Sequence, residues 1–158
     1  MGRARPRKIE GLIPHRPPML VVDELCSVSA EAAESRTVFD ESCLFLDADG
    51  FLEEAVLFEM MAQTFAALAC LTQVGAEGGP ALDHPVGQAA PAPGAGFLVG
   101  LKKVSLAARA RLGTPVVVRV SIFSRVEDFS VVDGEAWQDG RQLAAGQLTI
   151  YVPQGGRA

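Results

Sequence analysis

The stretch from Leu52 to Val74, LEEAVLFEMMAQTFAALACLTQV, constrains the fold more than any other. As a helix it would run roughly 34 Å at about 1.5 Å per residue. It carries no charge after Glu59, and apolar side chains fall on every face. A helix that is apolar all round has to be surrounded, either by a protein core or by a membrane. Glu59 and Gln63 interrupt the apolar surface, and residues four apart share one face. A carboxyl group on such a helix costs free energy unless it is paired, protonated or used, which makes Glu59 the first candidate for chemistry.

The run from Ala55 to Val74 is long enough to ask about a membrane span. Glu59, Gln63, Thr64 and Gln73 break it, no Lys or Arg flanks it, and the remaining chain reads as strands that need a helix to cover them. It is therefore read as a core helix, with no membrane span. At 158 residues, the chain is read as one domain spanning 1–158. A net charge of −5 argues against nucleic acid as a partner. Arg3, Arg5, Arg7 and Lys8 make residues 1–8 a basic tail, solvated or a contact for an acidic partner. Cys26, Cys43 and Cys70 lack metal-ligand spacing, and Cys70 reads as a buried thiol in the helix. A reducing cytoplasm fits these cysteines, and no signal peptide is legible.

Taken in order, RKIEGLI after the tail is weakly helical, and Pro14, Pro17 and Pro18 then force an extended path. Met19–Val28 reads as a strand and Glu31–Phe39 as its antiparallel partner. The loop Asp40–Gly50 leads into the helix, with Asp49 or Gly50 as N-cap. Residues 75–96 are packed with Gly, Ala and Pro and read as a long loop, a candidate cap over a site. Four strands follow: Phe97–Leu106, Val116–Val126, Phe129–Gln138 and Arg141–Val152. In the second, Val116, Val118, Val120 and Ile122 alternate against Arg119 and Ser121. Asp139-Gly140 is a two-residue hairpin signal. One apolar helix and antiparallel strands make an α+β domain, the helix wrapped by a curved sheet.

Ile13-Pro-His-Arg-Pro-Pro-Met-Leu-Val-Val-Asp23 resembles the opening motif of the 3-hydroxyacyl-[acyl carrier protein] dehydratases. Val56-Leu57-Phe58-Glu59-Met60-Met61-Ala62-Gln63 is similar to that family's helix motif, and Phe97-Leu98-Val99-Gly100-Leu101 to one of its strands. The resemblance implies a hot-dog fold, a homodimer or heterodimer with joined sheets, and a trimer of dimers in some members. It implies a 3-hydroxyacyl thioester substrate on the phosphopantetheine of an acyl carrier protein, or on CoA, in fatty acid or polyene biosynthesis. No metal or bound cofactor is implied.

Elimination of water needs a base for the α proton, an acid for the departing hydroxyl, and donors for the developing enolate oxygen. In the family a His from one subunit and an acid from the other divide the proton transfers. Glu59 falls on that acid and Gln63 on the family's Gln; Phe97, Leu98, Val99 and Gly100 fall on a substrate-binding strand. The family's His precedes the helix, and here no His stands between Thr37 and Glu59; allowing a short deletion brings Asp49 near its position. A divergent branch associated with aryl-polyene and other specialised fatty-acyl pathways has a similar lack. The segments Leu46–Asp49, Phe58–Gln63 and Gly96–Gly100 look closer to that branch.

The expected catalytic residues are therefore Glu59 and Asp49. His15, in the opening motif, is read as structural and away from the acid, and His84 as a loop residue. Lys102, Lys103, Arg109 and Arg111 read as a solvated edge that could attract an acidic carrier protein. The alternatives to a dehydratase are a non-catalytic subunit paired with an active one, and an acyl thioesterase.

Overall fold

The computed structural model describes residues 6–76 and 96–152. Arg3, Arg5, His84 and most of the Gly/Ala/Pro-rich stretch lie outside the described residues. Seven strands and one helix follow in the order β1 (Arg7–Lys8), β2 (Glu24–Val28), β3 (Ala32–Thr37), α1 (Glu54–Ala76), β4 (Phe97–Leu106), β5 (Val116–Val126), β6 (Phe129–Gln138) and β7 (Arg141–Tyr151). They form one antiparallel sheet in the order β1-β2-β3-β5-β6-β7-β4. This is the expected α+β hot-dog arrangement, with α1 against β2, β3, β5, β6 and β7.

The apolar pattern of α1 is used by the sheet. Met60, Met61, Ala67 and Leu68 are fully buried, with Val116, Val118, Val132 and Leu148 of the sheet. The segment Glu54–Thr72 is long and apolar enough to cross a membrane by length and composition, but 72% of it is buried within the molecule. Gly134 and Gly146 face each other on β6 and β7. A Cβ on Gly134 would lie 2.6 Å from Met61 Sδ, and one on Gly146 3.0 Å from Phe58 Cε1. The missing side chains let the helix lie close to the sheet. Thr64 adds a polar lock, its hydroxyl 2.6 Å from Ser35 of β3 in the buried interior.

The turns follow from local chemistry. Asp139 and Gly140 both take positive φ, 51° and 72°, as a two-residue hairpin between right-twisted strands requires. The alternation of β5 holds, with Val116, Val118 and Val120 buried and Arg119 and Ser121 exposed. Cys70 is buried, and burial pushes its thiol up.

Three expectations are corrected. RKIEGLI is not helical. Arg7 and Lys8 pair with Leu25 and Glu24, and Ile9 and Ile13 enter the core. The strand expected from Met19 begins only at Glu24, because the prolines leave 14–22 irregular. Neither Asp49 nor Gly50 caps α1. Asp47 Oδ1 accepts the Asp49 and Phe51 N–H groups, closing a turn before the helix starts at Glu54. A short aspartate that satisfies its own loop backbone competes with capping.

Candidate functional site

Gln63 is the residue that builds the site. It sits on a helix face that its own backbone cannot serve, and a buried amide needs partners for both its ends. Its Oε1 accepts the Val21 N–H at 3.0 Å, and its Nε2 donates to Met19 O at 2.7 Å and to Glu59 Oε1 at 2.8 Å. One side chain thus fastens the irregular opening segment to α1 and orients the acid a turn earlier. Thr37 fastens the same segment from β3, donating to Val21 O and accepting the Asp23 N–H.

That fastening brings His15 to Glu59. His15 Nε2 lies 3.6 Å from Glu59 Oε1, and each side chain is one-third exposed. The reading of His15 as remote from the acid is thereby overturned, because the prolines fold its segment back over the helix. Glu59 is also less enclosed than an all-apolar helix implied. His15 Nδ1 is buried without a hydrogen-bond partner among the described residues.

His15, Glu59 and Gln63 line a cavity of about 490 Å³. Its remaining wall is apolar: Ala62, Phe65, Ala66 and Ala69 of α1, Phe97 and Leu98 of β4, and Ile150 and Val152 at the end of β7 among them. Such a space suits an aliphatic chain with polar chemistry at one place. Of the strand residues expected to bind substrate, Phe97 and Leu98 line it and Val99 and Gly100 do not. β4 is one of the two edges of the sheet among the described residues, and Phe97, Val99, Leu101 and Val104 are each at least two-fifths exposed.

Asp49 lies elsewhere. It is exposed and paired with Arg109 at 3.1 Å, and it is not part of the cavity wall of its own chain. Arg109 also binds Asp47, and its guanidinium stacks 4.4 Å over the Phe51 ring. Burial alone would raise the Asp47 carboxyl; the Phe51 and Asp49 N–H groups and Arg109 outweigh it and hold it below the ordinary range. Arg111 pairs with Asp139, so of the four basic residues read as one edge, two are engaged locally. A second depression of about 460 Å³, on the outer face of the sheet, holds the Arg119–Glu34 pair and none of the candidate residues. No group of His, Cys, Asp and Glu suited to a metal occurs among the described residues.

A signal for the His15–Glu59 approach was present in the sequence. Gln63 needs backbone partners, and the proline-rich segment has backbone groups that no strand pairs.

The model of the ApeP-like family, described as ApeP dehydratase, matches residues 7–158. No curated protein sequence matches significantly. Among solved structures, the chain is similar to the dehydratase heterocomplex ApeI:P from Xenorhabdus doucetiae, with 21% identity and a TM-score of 0.79 over 95% of this chain and 93% of that one. It is similar to a hypothetical thioesterase from Streptococcus pneumoniae with coenzyme A, at 14% identity and TM-score 0.59, over 85% and 88% of the two chains. The PaaI protein of the E. coli phenylacetic acid degradation operon matches at 13% identity and TM-score 0.58, over 80% of each chain.

Proposed function

Because this chain belongs to the ApeP-like dehydratase family, we propose that it removes water from a 3-hydroxyacyl thioester and leaves the 2-enoyl thioester. The observation that carries this reading is Glu59. Its carboxyl is oriented by the Gln63 amide at 2.8 Å and opens into a cavity otherwise lined largely by apolar side chains. A carboxylic acid so placed can protonate a departing hydroxyl while the acyl chain lies along Ala62, Ala66 and Ala69. The thioester is carried on the phosphopantetheine of an acyl carrier protein or on CoA, and the chemistry runs on side chains without a metal or bound cofactor. Three unpaired cysteines suit a reducing cytoplasm.

A second hot-dog subunit is the proposed structural partner. Among the described residues β4 has no strand on its outer side, and it exposes apolar side chains there, a surface that invites strand-to-strand pairing. The ApeI:P heterocomplex supports pairing with a different subunit over a homodimer.

The test is the intact mass of a carrier protein loaded with a 3-hydroxyacyl group, incubated with this protein alone and with a partner dehydratase subunit. Loss of one water is expected, falling by at least about a hundredfold in Glu59→Gln, the usual scale of general acid catalysis. Loss of the whole acyl group would make the protein a thioesterase. An unchanged mass in both incubations would remove the dehydratase reading.

A further inference from the structure

We propose that His15 is the base of the elimination, so that one chain holds both proton-transfer groups as an adjacent His15–Glu59 pair. This rests on the dehydratase reading above and departs from the division of base and acid between two subunits that the sequence resemblance implied. Two observations carry it. His15 and Glu59 are the titratable groups among the described residues lining the cavity. Their facing atoms are 3.6 Å apart, longer than a hydrogen bond, but within reach of one after a small side-chain movement. The segment that bears His15 is also held by side-chain hydrogen bonds. Gln63 bonds Met19 and Val21, and the Arg16 guanidinium bonds the carbonyls of Ile13 and His15.

The adjacency has a chemical use. Neutral His15 takes the α proton at Nε2, and the C–H electron pair is held as the thioester enolate before it closes the Cα–Cβ double bond. The Cβ–O bond breaks as the Glu59 carboxylic acid gives its proton to the departing hydroxyl, which leaves as water. The chain is then left with a protonated imidazole and a carboxylate side by side. Transfer of that proton from His15 to Glu59 across the short gap restores both groups for the next substrate.

The purified full-length chain, without any partner subunit, is incubated in D2O with a 3-hydroxyacyl carrier protein. Two quantities are read by mass: water loss, and solvent deuterium at the α carbon of unreacted substrate. Wild type shows both. His15→Gln, similar in reach and polar, loses both by at least about a hundredfold while keeping the wild-type thermal midpoint. Glu59→Gln keeps the α-carbon exchange and loses only water removal; a His15 that merely positioned Glu59 would likewise keep the exchange when replaced, so its loss in His15→Gln marks a base. If His15→Gln does not fold, His15→Asn carries the same expectation. Water loss by either folded His15 variant at a rate close to wild type would overturn the pair and leave the dehydratase reading intact. Where wild type is active only with a partner subunit, His15→Gln is read in that assembly, and water loss and exchange close to wild type there would overturn the pair and place the base in the partner. No water loss in any assembly would remove both readings.

Discussion

Two carboxylate clusters flank the start of the central helix, and they differ in what holds the acid. In the loop before it, Asp47 and Asp49 are tied to Arg109, and Asp47 also accepts two backbone N–H groups. These contacts use the acceptor capacity of the loop, and those to Asp47 hold its carboxyl below the ordinary range. One turn into the helix, Glu59 has one bond to Gln63, a histidine at 3.6 Å, and an open apolar space beyond. The first cluster is built to stay put. The second leaves a carboxyl facing open space. A carboxylate's surroundings decide its use more than its place in a motif does.

The strongest way to break this contrast is through Gln63. Gln63→Leu strips partners from the Val21 N–H and the Met19 carbonyl and frees the segment bearing His15. Leaving buried polar groups unpaired costs about 1–3 kcal/mol, so the urea midpoint should fall accordingly and water removal should fall with it. A variant with wild-type stability and activity would show that the site does not depend on this fastening.

Asp47 sharpens the other half. Its folded carboxyl titrates below the ordinary value of 3.8. A depressed carboxylate contributes stability above its unfolded pKa and loses it as pH falls through the folded one. The gap in urea midpoint between wild type and Asp47→Ala should therefore be present at neutral pH and close below pH 3.8. A gap that persisted in strong acid would mean that the loop is held by something other than the charged carboxylate.

Asp49→Asn should have the smallest effect. It removes one exposed contact to Arg109, and exposed ion pairs contribute little. Water removal should continue as in wild type. A large loss would show that this loop reaches an acyl site across a subunit boundary, and the two clusters would no longer be separable into one fixed and one working.

The elements of the fold were legible in the sequence, because they are written in short-range patterns. The alternation of Val116, Val118 and Val120 predicts their burial, and Asp139-Gly140 predicts a hairpin in which both residues take positive φ. The charge-free run after Glu59 predicts a core helix, though the helix starts at Glu54, once the Asp47 turn is complete. Periodicities of two and of 3.6 residues depend only on neighbours along the chain. That Glu59 would face a cavity was legible for the same reason, as a carboxyl where an apolar surface should continue.

Its setting was not. That His15 lies beside Glu59 depends on where three prolines turn the chain and on Gln63 meeting Val21, which is 42 residues away in sequence. The same holds for Arg109 closing on Asp49 across 60 residues. Sequence spacing carries no distance at that range. Only closure of the sheet around the helix, with Gly134 and Gly146 letting the two approach, decides which polar groups share a cavity and which are fixed in a loop.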